Sequence, residues 1–276
     1  MRIRLPIAGL AAALLAAAVA GAAFWPQADS PAAREDAERL PIPPVPPRIA
    51  QGARYEHCLA QLPNDPQGAQ ADAERWAQEG GGAGAAHCRA LARIALGDPA
   101  GGAAGLEQIA GDSTAPGEAR AVVFDQAAQA WLMDGDAARA FAAATQAAAL
   151  APDTPDLLID RALAAEALGR WQDAVDDLTH ALDGDPRRAD ALVLRGSALR
   201  HLGRVAQACD DVDRALALDP DDAEALLERG ILRQRGHDDG GARADWERAI
   251  ALAPDSQAAD LAQQNLALLE AGPERR

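Results

Sequence analysis

From Gly52 onwards, apolar and polar residues alternate in short segments that have the spacing of amphipathic helices. The segments "ARYEHCLAQL" and "AAHCRALARIAL" are two of them, and each ends at a turn signal rich in Gly, Pro or Asp, such as "PNDP" and "GDP". The pattern predicts short helices joined by short turns, with the folded part of the chain starting near Gly52.

Beyond Ala121 this alternation becomes periodic. Four similar phrases, "AALAP", "ALDGDP", "ALALDP" and "AIALAP", end at Pro152, Pro186, Pro220 and Pro254, so each interval is 34 residues. An interval contains two helical runs around a short turn, as in "PDLLIDRALAAEAL", "GRW" and "QDAVDDLTHALDGDP". A fixed period of this length is typical of proteins built from stacked copies of one helix-turn-helix unit.

Small side chains recur at fixed offsets within these intervals. Those of the first helix are Ala128, Ala162, Gly196 and Gly230, and those of the second helix are Ala140, Ala174, Ala208 and Ala242. Large side chains recur between them, for example at Leu158, Leu192 and Leu226. Because helices approach closely where small residues face large ones, this pattern predicts interdigitated helix pairs.

The composition favours an all-helical fold and excludes several functions. Ala and Leu dominate the apolar residues, aromatic residues are 3% of the chain, and residues that favour strands are scarce. A net charge of −16 disfavours binding to nucleic acid and to anionic lipid. All 26 basic residues are Arg, so Schiff-base chemistry and a phosphate loop with its Lys are excluded.

The 34-residue unit, its small contact positions and its closing proline closely resemble the tetratricopeptide repeat family. The resemblance implies an all-α solenoid of stacked helix-turn-helix repeats that winds into a right-handed superhelix. It implies two degenerate hairpins over residues 52–120, four repeats over 121–254 (121–154, 155–188, 189–222 and 223–256) and a capping helix over 255–271. The partner stays open, since members of the family bind very different proteins.

In the tetratricopeptide repeat family, residues of the first helices line the inner groove. The positions that the resemblance implies here are Asp125, Gln129, Ile159, Leu163, Val193, Ser197, Arg200, His201, Leu227, Ile231, Gln234 and Arg235. Some relatives bind a terminal carboxylate with Lys and Asn at these places, and that clamp is absent here. We expect a largely apolar groove with cationic groups at one end, suited to a helix or an extended peptide that carries a few acids. The alternative is that some of these side chains only pack between repeats.

Two charged triplets keep the same 34-residue step. Arg161, Arg195 and Arg229 share a first-helix position, and Asp177, Asp211 and Asp245 share a second-helix position. Because the acids match the arginines one to one, we expect a structural ladder of buried ion pairs between the two helices of each repeat. The functional alternative is a basic strip that recognises an acidic ligand.

The chain has three cysteines, Cys58, Cys88 and Cys209. Cys58 and Cys88 lie in Ala-rich segments that would form the first helices of adjacent pairs, where close approach allows a disulfide. We expect this bond, with Cys209 as a buried free thiol. The alternatives are two separate buried thiols and a zinc site with His57 and His87. Adjacent residues on one helix suit such a site poorly, because they point about 100° apart.

The first 51 residues differ from the rest of the chain. Arg2 and Arg4 precede an uncharged run over residues 7–25, and a Pro-rich stretch follows it. We expect a signal peptide or a transmembrane anchor over residues 1–25 and a disordered linker over residues 26–51. The bias towards Ala, Arg, Gly and Pro indicates a GC-rich bacterial genome. The expected location is the periplasmic side of the inner membrane if the segment is retained, or the soluble periplasm if it is cleaved.

Motifs of catalytic and metal sites are absent from the sequence. It contains no HExxH, CxxC or GxSxG, and "GGGAG" lacks the following Lys of a phosphate loop. We therefore expect no cofactor, no metal and no catalysis, and predict an interaction scaffold or chaperone-like module of the cell envelope that binds a protein or peptide. Two alternatives are a self-assembling structural protein and an enzyme whose groove contains His201 and Arg200.

Overall fold

The computed structural model describes residues 48–271. These residues form thirteen α-helices and no strand, which confirms the all-α fold. The expected signal or anchor over residues 1–25 and the linker up to residue 47 lie outside the described residues. Among the described helices, none is long and apolar enough to cross a lipid bilayer. The helices fall into two compact units that divide after Ala151.

Within the described residues, the first unit contains three helical hairpins. Its helices are α1 (Ala53–Gln61), α2 (Pro66–Gln78), α3 (Gly82–Ala95), α4 (Pro99–Asp112), α5 (Gly117–Asp134) and α6 (Ala137–Leu150). Each helix packs against the next, and α1 also contacts α3. The core between them consists mainly of Ala, with Leu62, Leu106 and Val123 as large, fully buried side chains. Helix α5 begins at Gly117, upstream of the first regular repeat predicted at Ala121.

The second unit contains three further hairpins and a terminal helix, again within the described part of the chain. Its helices are α7 (Pro155–Ala167), α8 (Trp171–Gly184), α9 (Ala189–His201), α10 (Val205–Leu218), α11 (Ala223–Arg235), α12 (Asp239–Leu252) and α13 (Gln257–Ala271). The first helices of successive hairpins touch, α7 with α9 and α9 with α11, and α13 contacts both α11 and α12. The terminal helix therefore covers the end of the stack.

The turn between the two helices of a hairpin uses a left-handed residue. Gly135, Gly169 and Gly203 occupy this position at steps of 34 residues, with φ between 70° and 87°. Glycine adopts this conformation without the steric penalty of a Cβ atom. In the last hairpin the same position is His237, with φ 65°. The turn is therefore kept there without a glycine, at a cost of about 1 to 2 kcal/mol.

Two glycines permit close approach between the helices of a hairpin. A Cβ atom at Gly196 of α9 would lie 2.8 Å from Val212 Cγ2 of α10. At the equivalent Gly230 of α11, a Cβ atom would overlap the indole ring of Trp246. That ring is fully buried and donates its Nε1 hydrogen to the Leu227 carbonyl at 3.2 Å. The small positions of the first helix therefore make room for large side chains of the second.

Candidate functional site

The first helices of the second unit share one surface. Because α7, α9 and α11 pack side by side, equivalent residues 34 positions apart line up across them. We call this surface the first-helix face. The predicted groove residues on these helices are Ile159, Leu163, Val193, Ser197, Arg200, His201, Leu227, Ile231, Gln234 and Arg235. The other two predicted residues, Asp125 and Gln129, lie on α5 in the first unit, where the Gln129 amide donates to Asp125 Oδ2 at 3.2 Å.

Three of the predicted groove residues are not accessible to a ligand. Ile159, Val193 and Leu227 are between 4% and 6% exposed. They share one register position on helices that pack side by side, so they belong to the apolar core of the unit. The prediction that they line a groove is wrong, because packing between repeats covers them.

The apolar surface that a ligand can reach lies one turn further along the helices. Leu163, Ser197 and Ile231 share a register position there and are partly exposed, as is Gln234 beside them. Since Ser197 stands where the neighbouring repeats have Leu and Ile, the fold accepts a polar side chain at this position.

The resemblance to the tetratricopeptide repeat family implies that Arg200 lies at the cationic end of the groove, but Glu228 of α11 already neutralises its charge. Arg200 Nε and Nη2 donate to Oε2 and Oε1 of Glu228 at 2.7 and 3.0 Å. The two side chains are 9% and 11% exposed. A two-point, largely buried ion pair of this kind leaves the guanidinium unavailable to an acidic ligand, which corrects the prediction for Arg200.

The remaining predicted polar residues, His201 and Arg235, are exposed. The His201 ring stacks on Trp171 of α8, with ring centroids 3.8 Å apart and an interplanar angle of 3°. Partial burial, and then the charge of Arg200, lower the pKa of His201, so the ring is mainly neutral at pH 7. Arg235 donates to the backbone carbonyl of Arg200 at 3.3 Å. Among the described residues, His201 is therefore held in place by its aromatic stack on Trp171 and not by a carboxylate.

A carboxyl group that the sequence analysis missed lies beside the Arg200–Glu228 pair. Glu166 of α7 shares the register position of Arg200 and Gln234. Its Oε1 atom is covered and has no hydrogen-bond partner among the residues that the structure describes. Burial, and then the charge of Glu228, raise the pKa of Glu166 to about 7, although Arg200 acts in the opposite direction. Glu166 therefore titrates near neutral pH in a cluster that spans three first helices.

Replacing Glu166 with Gln is expected to stabilise the protein at neutral and higher pH. Because the pKa of Glu166 is raised from 4.5 to about 7, the folded state binds this proton more tightly than the unfolded chain does. The native protein therefore loses on the order of 3 kcal/mol of stability as the pH rises through this window, and the Gln variant does not. Arg200 and Glu228 are common to both proteins, so the comparison isolates Glu166.

Denaturant unfolding from about pH 5 to about pH 8 measures this difference. The two stabilities are expected to converge at the acidic end and to diverge at the basic end. A difference that stays constant across the range would contradict the raised pKa of Glu166.

The opposite end of the first-helix face is acidic. Arg188 bridges α7 and α9, with Nη1 2.6 Å from Asp156 Oδ1 and Nη2 2.6 Å from Asp190 Oδ2. Glu224 of α11 shares the register position of these two aspartates. Burial, and then the charges of Asp222 and Asp190, raise the pKa of Glu224. Carboxylates therefore outnumber arginines at this end.

The matched Arg and Asp triplets form ion pairs within the hairpins. The pairs are Arg161 with Asp177, Arg195 with Asp211, and Arg229 with Asp245. In the middle pair, Arg195 Nε and Nη2 donate to the two oxygens of Asp211 at 2.7 and 2.8 Å. Arg195 Nη1 also donates to Thr179 Oγ1 of the preceding hairpin at 3.2 Å. Since the guanidinium groups are occupied by these contacts, the structure favours a role in stability over recognition of an acidic ligand.

Comparison with known proteins agrees with the helix-turn-helix stack. Two tetratricopeptide repeat profiles match residues 129–200 and 189–222. Residues 129–222 of the chain are therefore tetratricopeptide repeats. No curated protein sequence matches the chain.

Solved structures share the fold of this tetratricopeptide repeat protein. MamA from Desulfovibrio magneticus RS-1 is 17% identical, with 63% of this chain and 97% of that chain covered and a TM-score of 0.54. A chain of the APC/C hetero-tetramer Cut9–Hcn1 is also 17% identical, with 77% of this chain and 42% of that chain covered and a TM-score of 0.58. At this level of identity the likeness shows the fold alone.

The first four helices of the tetratricopeptide repeat protein precede the matched residues and contain a disulfide. Cys58 of α1 and Cys88 of α3 are bonded, with their Cα atoms 6.2 Å apart. Because both sulfur atoms are used in this bond, they are not available as the zinc ligands of the alternative hypothesis. Cys209 is a free thiol, but it is partly exposed and not buried as expected. Partial burial, and then the charges of Asp213 and Asp210, raise its pKa.

His87, next to the disulfide, links three helices of the first unit. Its Nδ1 atom lies 2.6 Å from the Tyr55 hydroxyl of α1, and its Nε2 atom lies 2.7 Å from Gln126 Oε1 of α5. A neutral ring satisfies both contacts, with Nε2 donating to Gln126 and Nδ1 accepting from Tyr55. Burial lowers the pKa of His87, which favours this neutral form. His87 is therefore a core residue of the first unit.

Proposed function

We propose that this tetratricopeptide repeat protein is a non-catalytic interaction scaffold whose first-helix face binds a peptide or helix of a partner protein. The observation that carries the proposal is a continuous face over α7, α9 and α11 on which Leu163 and Ile231 remain partly exposed above a buried apolar layer. An amphipathic segment that packs on such a face buries further apolar surface on a rigid stack of helices.

A location in the bacterial cell envelope belongs to the same proposal. Its support is the sequence of residues 1–25, where two arginines precede a long uncharged run, and the Pro-rich stretch that follows. The Cys58–Cys88 disulfide is consistent with an oxidising compartment such as the periplasm. The partner would then be another envelope protein, reached from an anchor in the inner membrane or from the soluble periplasm.

Binding to the first-helix face is tested with a peptide selected on the full chain from a random display library. Ile231→Asp is expected to weaken binding of that peptide about tenfold or more, because a carboxylate in an apolar contact must be desolvated. Ser197 occupies the equivalent position in the preceding repeat, so the fold is expected to tolerate the substitution.

The matched control is Leu218→Asp, which changes a 38% exposed leucine on the second helix α10. This variant is expected to bind like the native protein in the same titration. Binding that survives Ile231→Asp but is lost in Leu218→Asp would place the site away from the first-helix face and contradict the proposal.

A further inference from the structure

Charge on the first-helix face is unbalanced towards acid. The three helices carry six carboxylate residues, Asp156, Asp160, Glu166, Asp190, Glu224 and Glu228. Of the N-cap Arg188 and the six arginines of these helices, four are paired with aspartates of the second helices (Arg161, Arg195, Arg229 and Arg233), which leaves Arg188, Arg200 and Arg235. Six acids against three arginines over three helices place a negative potential around the partly exposed Leu163 and Ile231.

The arginines of this face are mostly engaged within the protein. Arg188 bridges two aspartates, and Arg200 donates twice to Glu228. Arg235 is exposed and donates to a backbone carbonyl, so it alone of the three has no carboxylate partner among the described residues. An acidic ligand would therefore meet one available guanidinium and a surplus of carboxylates.

Two carboxyl groups of the face are left without a direct ionic contact in the described part of the chain, although Arg200 lies near one of them. Glu166 and Glu224 form no ion pair within residues 48–271. Glu166 as a whole is partly exposed, while its Oε1 atom is covered and accepts no hydrogen bond in this part of the chain. A covered acceptor without a donor is unfavourable, and a cationic donor that a ligand brings to the partly exposed carboxylate of Glu166 offsets this cost.

We propose that the first-helix face binds a basic amphipathic segment of the partner, with an Arg or Lys side chain donating to Glu166 beside Glu228 and apolar side chains packing on Leu163 and Ile231. This inference rests on the proposed function and specifies the chemistry of its ligand. It reverses the expectation of an acidic segment, because that expectation depended on Arg200, which is paired with Glu228. Charge complementarity selects the basic partner, and the apolar contacts contribute most of the buried area.

The test uses two pools of synthetic peptides that have the same apolar positions. One pool carries Arg or Lys at the remaining positions, and the other carries Glu or Asp. Titrated against the full chain, the basic pool is expected to bind and the acidic pool is not. For the tightest basic peptide, Glu166→Gln is expected to weaken binding about tenfold, which corresponds to loss of one charge-assisted hydrogen bond.

Glu74→Gln is the matched control, because Glu74 is an exposed carboxylate on α2 of the first unit. It is expected to bind the basic peptide like the native protein, and thermal unfolding verifies that Glu166→Gln remains folded. Preference for the acidic pool, or equal binding by the native protein and Glu166→Gln, would overturn the inference. If both pools bind equally and Ile231→Asp removes that binding, the inference fails and the proposed function stands. If neither pool binds, both fail.

Self-association is a further informative outcome. Concentration-dependent dimerisation of the full chain that Glu166→Gln abolishes would assign the face to a second copy of this protein and overturn the basic-partner proposal. Sedimentation of the native and variant proteins distinguishes the two cases.

Discussion

Replacing Asp211 with Ala is expected to lower the free energy of unfolding by about 3 to 5 kcal/mol. The Asp211 side chain is 5% exposed and accepts two hydrogen bonds from Arg195, whose side chain is 16% exposed. The substitution leaves this guanidinium inside the hairpin without its carboxylate. Thr179, its other partner, is uncharged and cannot take the place of Asp211. Denaturant unfolding followed by circular dichroism measures the loss.

Asp213 provides a matched control, because it is exposed on the same helix as Asp211. Asp213→Ala is expected to change stability by less than about 0.5 kcal/mol. The double variant Arg195→Ala with Asp211→Ala is expected to be no less stable than Asp211→Ala alone, since removal of both partners leaves no buried charge unpaired. Losses that simply add in the double variant would show that the two residues do not act as a pair.

Removal of the Cys58–Cys88 disulfide is the second change with a large expected effect. The bond closes a loop with a sequence separation of 30 residues, and loss of such a constraint on the unfolded chain costs about 3 to 4 kcal/mol. Replacing both cysteines with Ala avoids burying a polar group, because the site is surrounded by Ala and Leu. Hydrogen exchange is expected to show the loss in α1 and α3 and no change in α9 and α11.

Thiol labelling distinguishes the bonded from the free cysteines. In protein denatured without reductant, one reactive cysteine is expected, Cys209. Cys209→Ala is the control. This variant should keep the stability of α1 and α3, and it should contain no reactive thiol. Three reactive cysteines in the native sequence would show that the disulfide does not form.

The ion pairs of the hairpins were predictable because both partners repeat with the same period. An Arg equivalent to Arg195 and an Asp equivalent to Asp211 recur 34 residues away in both directions. The sequence therefore shows that each Arg position has a matching Asp position in the same repeat. The small residues at Gly196 and Gly230 were predictable for the same reason, since identical packing in each hairpin requires the same space. The 34-residue period therefore predicts both the fold and the contacts within a repeat.

The candidate site was less predictable because its contacts join different positions of different repeats. Glu166, Arg200 and Gln234 share one register position but are an acid, a base and an amide, so no repeated residue type marks them. Arg200 bonds to Glu228, 28 residues away, a separation that the repeat period does not indicate. The resemblance to the tetratricopeptide repeat family implied that Leu227 lines the groove, but packing between the first helices buries this side chain.

In the first unit, too, contacts that do not follow a repeat period could not be predicted from the sequence. Cys58 and Cys88 could be paired from the sequence because both lie in Ala-rich segments of adjacent hairpins. The contacts of His87 with Tyr55 and Gln126 span 32 and 39 residues and join three helices with no common period. A buried polar contact of this kind depends on the actual packing distances between helices, which the pattern of apolar residues does not specify.

We propose that a partner segment lies on the first-helix face of the second unit. Methyl NMR of the full chain, titrated with a peptide selected for binding, tests it most directly because each Leu and Ile methyl group reports its own surroundings. We predict that the Leu163 and Ile231 resonances shift on binding while those of Leu218 and Leu252, exposed on the second helices α10 and α12, do not. Shifts confined to Leu218 and Leu252 would place the partner segment on the second helices and rule out the first-helix face.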